Sequence, residues 1–224
     1  MIRVAAAIPA YEAASSVGAV VARTRAVIED VLVIDDGSND GTAEAASTAG
    51  AEVHSFPENR GKGAALREAF GILFSRGFAW VVTIDADGQH LPEEAPRLIE
   101  AADGADLVLG TRDHLFNEMS ALRGLSNRLS SRAISWAAGQ PISDVQTGFR
   151  LYKRELIART GFPESGFEAE SAVVVRAVRL GLRVTTRSVR LGHADGRTTS
   201  HYRPVVDSLR IAAGVLNARY SNNL

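Results

Sequence analysis

Short runs of almost wholly apolar residues, each cut off by a turn-forming or acidic residue, constrain this chain more than any other feature. Val4–Ile8 is closed by Pro9, Val31–Ile34 by Asp35-Asp36-Gly37-Ser38, and Trp80–Ile84 by Asp85-Ala86-Asp87-Gly88-Gln89-His90. A strand that is apolar at successive positions must be covered on both faces, the condition of a parallel sheet between helical layers. Helical stretches fill the intervals at 14–25, 43–49 and 64–75, with a further strand near 52–55. Strands alternating with helices of this length predict an open α/β sheet. Leu91-Pro92-Glu93-Glu94 opens another helix, with proline near its first position and acids in its first turn, and a strand follows at 105–109.

After Gly110 the alternation fails. The sequence predicts a long helix over 120–138, a loop over 139–147, helices over 154–160 and 168–180, and a last strand over 183–189. No linker or internal repeat interrupts the chain, so one α/β domain with a Rossmann-like, mostly parallel sheet is expected over 1–224. Within it, 1–110 reads as a nucleotide-binding half and 111–224 as the half that covers it.

Composition narrows the function classes. Twenty-five basic against 26 acidic residues give a net charge of -1, which offers no whole-chain argument for nucleic acid. From Ser171 onward, however, nine arginines face only Asp195 and Asp207, so this stretch suits a phosphate or an anionic surface, or is simply a solvated basic face. The absence of cysteine excludes disulfides, thiolate nucleophiles and cysteine-ligated metals. Residues 1–7 read as a first core strand and not as a signal peptide, and no apolar run approaches the roughly 18 residues of a membrane span. A cytoplasmic protein with peripheral membrane attachment is the expectation.

Ligands of open α/β sheets bind outside the carboxyl ends of the strands. Three strands here end in polar residues: Pro9-Ala10-Tyr11-Glu12, Asp35 to Ser38, and Asp85 to His90. In Asp85-Ala86-Asp87 one carboxylate ends the strand and the other begins the loop, so a bend brings both toward one point. Mg²⁺ or Mn²⁺ is held by one or two carboxylates together with substrate phosphates, and Gln89 and His90 could complete or border that shell. The stretch from Asn59 to Leu66 opens a helix with two glycines, Arg60 and Lys62, either a plain helix start or an anion contact. It lacks the spacing of a P-loop. No glycine-rich turn follows the first strand, which argues against a nucleotidyltransferase or a dinucleotide-dependent oxidoreductase.

Taken together, these residues resemble family 2 glycosyltransferases of the GT-A fold, and within them the dolichyl- or polyprenyl-phosphate mannose synthases. The resemblance runs through Ile8 to Tyr11, Val33 to Thr42, Asn59 to Leu66, Asp85 to His90, Asp144 to Phe149, Phe167 to Glu170, Gly196-Arg197 and Ser200 to Arg203, in family order. It implies inverting, metal-dependent transfer of a hexose from a GDP- or UDP-sugar to a polyprenyl phosphate. It further implies that Pro9, Tyr11, Glu12, Asp35 and Asp36 line the base and ribose pocket. Asp85 and Asp87 would bind the metal, with Gln89 a further ligand, and Lys62 would contact the diphosphate. Arg112 and Arg128 would grip phosphate groups, while Arg197, His201 and Arg203 would close over donor and acceptor. A phosphate acceptor ionises near pH ~6 and needs no strong general base. With a hydroxyl acceptor, the alternative reading, Asp144 is the candidate base.

Two departures accompany the resemblance. The family continues Pro-Ala-Tyr with Asn-Glu where this chain has Glu12-Ala13, so either Glu12 replaces the asparagine or the register slips by one. Many members also carry C-terminal membrane helices, whereas this chain ends in the polar Ser221-Asn222-Asn223 before Leu224. Lipid access is then expected from an interfacial surface, the 120–138 helix with Arg123, Arg128 and Arg132, or from a membrane-protein partner.

Overall fold

The computed structural model describes residues 3–111, 134–136, 139, 147–191 and 204–220. Its strands are β1 (Val4–Ala10), β2 (Val31–Asp35), β3 (Glu52–Ser55), β4 (Trp80–Thr83), β5 (Leu107–Thr111), β6 (Arg150–Lys153) and β7 (Val184–Ser188). The helices are α1 (Val17–Arg25), α2 (Thr42–Thr48), α3 (Lys62–Ser75), α4 (Ala95–Glu100, after a 3-10 turn at Pro92–Glu94), α5 (Arg154–Thr160), α6 (Glu168–Arg179) and α7 (Pro204–Tyr220). Together the strands form one seven-stranded sheet in the order β3-β2-β1-β4-β6-β5-β7. All neighbours are parallel except β6, which runs antiparallel to both β4 and β5. The mostly parallel α/β domain expected from the apolar runs is therefore what forms.

Successive residues of the buried strands feed opposite layers, as a strand's period of two requires. Ala5, Ala7, Leu32, Ile34, Val81 and Tyr152 pack beneath α3, α6 and α7. Ala6, Ile8, Val33, Val82 and Leu151 pack against Val17, Val20 and Val21 of α1 and Leu98 of α4. This explains why the runs had to be apolar throughout.

Two boundaries differ instructively from expectation. β1 does not stop at Pro9 but continues to Ala10, pairing with β2 as far as Asp35. Residues 6 and 10 bond toward β2, through Ala6 N–H to the Asp30 carbonyl and Asp36 N–H to the Ala10 carbonyl. Position 9 therefore faces the β4 side, where pairing ends at Ala7 opposite Thr83, and the missing proline N–H forfeits no ladder bond. The second difference is β6, which lies between the expected loop over 139–147 and helix over 154–160, where the sequence predicts no element, and enters the middle of the sheet. Of the helix expected over 120–138, residues 134–136 are helical and the others lie outside the described residues.

The loop after β4 is anchored from behind by Glu94, which is 1% exposed. It accepts hydrogen bonds from Arg97 Nη1 at 2.8 Å and Arg190 Nε at 2.7 Å, joining α4 to the segment after β7. Burial pushes this carboxyl up, but the two arginines outweigh it and hold it below the usual glutamate range. A depressed folded value gives stability that is present above the unfolded value near ~4.3 and is lost as pH falls through the folded one. Glu94→Gln should lower stability at neutral pH by about 1–2 kcal/mol, reduced from a fully buried pair because the arginines are solvated. In urea titrations the gap from wild type should close as pH falls toward ~3.

Candidate functional site

Strands β1, β2, β4 and β5 all point their carboxyl ends at one edge of the sheet, and antiparallel β6 begins there. The polar residues ending the first, second and fourth strands thus share an edge, as did the sequence expectation.

The loop after β1 and the loop after β2 are locked together. Glu12 N–H donates to Ser38 Oγ at 2.9 Å, and Asn39 N–H donates to Glu12 Oε1 at 2.9 Å. Ala13 N–H donates to Thr42 Oγ1 at 2.8 Å and Ala14 N–H to Asp40 Oδ2 at 3.0 Å. Glu12 has a φ of 49°, the left-handed region in which asparagine is enriched. Asp35 is 4% exposed and accepts from Ser38 N–H at 3.1 Å.

Asp36 has a definite employment. Its two oxygens accept the N–H groups of Arg60 at 2.7 Å and Gly61 at 2.8 Å, just ahead of α3. Burial raises its carboxyl above the usual range, and those two amides pull the other way. Its carboxylate therefore shapes the loop that starts α3. Gly37 makes this possible, since with φ +77° its α-carbon lies against the backbone of Glu58 and Asn59, where a side chain would collide.

α3 begins with Lys62, whose ammonium is held between two carboxylates, Asp85 Oδ1 at 2.7 Å and Glu170 Oε2 at 2.8 Å. Burial pushes this lysine's pKa down, but Asp85 and then Glu170 outweigh it and raise the pKa above the ordinary lysine value. Behind Glu170 lies Arg150, fully buried, whose guanidinium Nε is 3.6 Å from Glu170 Oε1. Arg150 also donates to the carbonyls of Thr147 at 2.7 Å and Glu170 at 2.5 Å. Two cations and two carboxylates thus join α3, β4, β6 and α6 in one charge-balanced cluster.

Close backbone approach makes the cluster fit. A β-carbon at Gly148 would overlap the Asp85 carboxylate, and the Gly148 carbonyl accepts from Thr83 Oγ1 at 2.8 Å. A β-carbon at Gly63 would lie 2.5 Å from the Glu164 carbonyl, so the start of α3 is pressed onto the loop leading to α6. Asp87 is half-buried two residues beyond Asp85, and its Oδ1 accepts from the N–H of Gln89 at 2.9 Å. His90 is 2% exposed, with its ring 5.5 Å from that of Phe149, so it belongs to the packing beneath the loop.

Of the residues singled out by sequence, Pro9, Tyr11, Glu12, Asp35, Asp36, Lys62, Asp85, Asp87 and Gln89 stand on this edge or in its loops. Arg112, Arg128, Asp144, Arg197, His201 and Arg203 lie outside the described residues. Sequence reasoning gave no role to Glu170, Arg150 or Gly148. A charged residue between the apolar Phe149 and Leu151 was the available signal for Arg150.

Removing the ammonium leaves Asp85 and the buried Glu170 facing each other without it. Lys62→Met should therefore destabilise the fold by about 3–5 kcal/mol, the usual consequence of breaking a buried pair from one side. Guanidinium denaturation of the variant, beside Lys62→Arg as the charge-conserving control, measures it.

Comparison with known proteins agrees with this architecture. The model of glycosyl transferase family 2 matches residues 6–161. The chain is 33% identical over 200 residues to an undecaprenyl-phosphate mannosyltransferase of Micrococcus luteus, covering 81% of this chain and 80% of that protein. It is 31% identical over 192 residues to a polyprenol monophosphomannose synthase of Mycolicibacterium smegmatis, covering 79% and 72%. Among solved structures, glucosyl-3-phosphoglycerate synthase from Mycobacterium tuberculosis superposes with a TM-score of 0.74 at 20% identity, covering 97% of this chain and 80% of that one. The same enzyme in complex with Mn²⁺, uridine diphosphate and phosphoglyceric acid gives a TM-score of 0.72 at 21% identity, covering 97% and 77%. The matched span takes in β1 through β6 and the Lys62–Asp85 contact, and the chain belongs to glycosyl transferase family 2, a glycosyltransferase of the GT-A fold.

Proposed function

We propose that the protein transfers a hexose, mannose or glucose, from a GDP- or UDP-sugar to a polyprenyl phosphate, with inversion and with Mg²⁺ or Mn²⁺. The observation that carries this reading is the cation-accepting position at the end of β4, where the Lys62 ammonium sits 2.7 Å from Asp85 with Asp87 two residues on. The names of the Micrococcus and Mycolicibacterium relatives support the acceptor, and the Mn²⁺ and uridine diphosphate bound by the structural relative support the donor class.

The residues present suit a hard divalent cation. Among the described residues no cluster of three or more metal-ligating side chains occurs, and Asp85 with Asp87 is the one- or two-carboxylate provision that leaves other positions to phosphate oxygens and water. When bound, the cation would neutralise charge on the departing nucleoside diphosphate. Asp85 and Asp87 would hold it, with Gln89 beside them. Gly148, without a side chain, leaves room for the Asp85 carboxylate, and Lys62, paired with it, is assigned to the diphosphate. Pro9, Tyr11, Glu12 and Asp35 border the base and ribose, while Asp36 acts by setting the Arg60-Gly61 loop. Arg112, Arg128, Arg197, His201 and Arg203 are assigned to the donor and acceptor phosphates.

In the described chain no residue is assigned as a covalent glycosyl carrier, so a single displacement turns an α-linked donor into a β-linked product. Proton and phosphorus NMR of the product test this, and an α-linkage would overturn it. Asp87→Ala should abolish nearly all transfer and most of the Mn²⁺-dependent tightening of nucleoside-diphosphate binding, with the melting transition retained. Calorimetric titration with and without Mn²⁺ decides, and unchanged metal-dependent affinity would remove the pair from the site. Turnover of a soluble alcohol with no transfer to polyprenyl phosphates of any length would replace the lipid acceptor by a hydroxyl one. In that case Asp144→Asn should cost the about 10²- to 10⁴-fold typical of a lost general base.

A further inference from the structure

α7 has two unlike faces. Ile211, Val215 and Ala218 are buried and join the core beneath α6. On the opposite side Leu216 is 47% and Tyr220 65% exposed, one helical turn apart and so adjacent on the surface. Trp136, from the separate helical segment at 134–136, is 60% exposed beside them. Arg219 joins the two elements: its guanidinium carbon lies 4.3 Å from the Trp136 ring centroid and 5.6 Å from that of Tyr220, and Nη1 donates to the Trp136 carbonyl at 2.8 Å. Of the four large apolar side chains exposed among the described residues, Trp136 and Tyr220 share Arg219 and Leu216 is one turn from Tyr220, which marks a patch and not the ordinary scatter of surface apolar groups.

The chemistry of the patch selects its occupant. Tryptophan and tyrosine favour the bilayer interface, where an apolar ring meets the acyl boundary and a polar edge meets the headgroups. α7 carries Arg210 and Arg219 against one acid, Asp207, near its start, and residues 134–136 are uncharged, so the part of the helix that bears Leu216 and Tyr220 is complementary to anionic lipid. Among the described residues no helix is long and apolar enough to cross a membrane, so such a helix lies on the surface. Its position also suits the site. Gly214 is pressed on Glu168 so closely that a β-carbon would lie 3.0 Å from the glutamate Cβ. Glu170, two residues further along α6, pairs with Lys62.

We infer that the outer face of α7 with Trp136 docks on the headgroup layer of an anionic bilayer, holding the edge of the sheet near a lipid-phosphate acceptor. The inference rests on the acceptor reading above for its purpose, but its test does not depend on that reading.

The chain has two tryptophans, and the other, Trp80, is 6% exposed in the core, so Trp136 reports the patch by its own emission. The intact protein is mixed with phosphatidylcholine–phosphatidylglycerol vesicles containing no donor, acceptor or divalent cation. Co-sedimentation is expected at low salt and should weaken as salt rises, since attraction to the surface is screened over a Debye length of about 10 Å at 0.1 M. Emission should shift to the blue and be quenched by lipids brominated near the headgroup, and Trp136→Phe should abolish both responses. Trp136→Ser with Tyr220→Ser should lower partitioning at least about fivefold, with the melting transition and transfer to a short-chain, water-soluble polyprenyl phosphate unchanged. Absence of vesicle binding overturns the inference, as does binding without a Trp136 response. Trp136-dependent self-association or capture of a protein without vesicle binding overturns it too. Failure of transfer to every polyprenyl phosphate, with Trp136 still responding to vesicles, would sink the acceptor reading and leave the docking surface standing.

Discussion

Glu170 buried against Lys62 and Arg150 is the constraint on which the site edge depends. Each of these charges would be expensive alone in an interior, and each is tolerable only because the others are within ion-pair reach. The cluster also has a structural reach that no single contact has. Lys62 opens α3, Asp85 follows β4, Arg150 begins β6 and Glu170 lies in the first turns of α6. Four elements distant in sequence are therefore registered against one another at the point where the strands end. The glycines at 63 and 148 are the steric counterpart, allowing backbone to approach where a methyl group would hold the segments apart.

Much of this fold was legible in the sequence because its strongest signals are local. The first four strands and the helices between them follow from apolar runs and their terminators, and the edge on which Asp35, Asp36, Asp85 and Asp87 gather follows from parallel topology. What stayed hidden was non-local. β6 reads as a poor strand because Arg150 interrupts its apolar character, and the residue is tolerated only because the Thr147 and Glu170 carbonyls and the Glu170 carboxylate surround it. The role of Glu170 depends on Lys62, more than a hundred residues earlier, which no spacing rule connects. The aromatic patch escaped for the same reason, since Trp136 and Tyr220 are joined through Arg219, more than eighty residues from the tryptophan.

The stretch from Asp35 to Thr42 shows how a motif divides its labour. Ser38, Asp40 and Thr42 spend their hydrogen bonds on the backbone of residues 12–14, and Asp36 spends both oxygens on residues 60 and 61. The resemblance assigns Asp35 and Asp36 to the base and ribose pocket and gives Ser38, Asp40 and Thr42 no role of their own. The geometry shows Asp36, Ser38, Asp40 and Thr42 tying the loops at the strand ends to one another. Preorganisation of this kind spares a ligand the entropy of ordering its own pocket.

The insertion of β6 between β4 and β5 bears on how the register of these strands is kept. Gly110 N–H donates to the Phe149 carbonyl at 2.9 Å, and Leu109 stands opposite Arg150, so the segment joining β5 to β6 leaves and re-enters the sheet at neighbouring points. Its two ends are held by the same ladder whatever sequence lies between them. Closing a loop whose ends are already adjacent depends only weakly on its length. The register of β5 and β6 is therefore set by their own ladder and depends little on the length of chain between them, while Ile134 within that segment returns to the core.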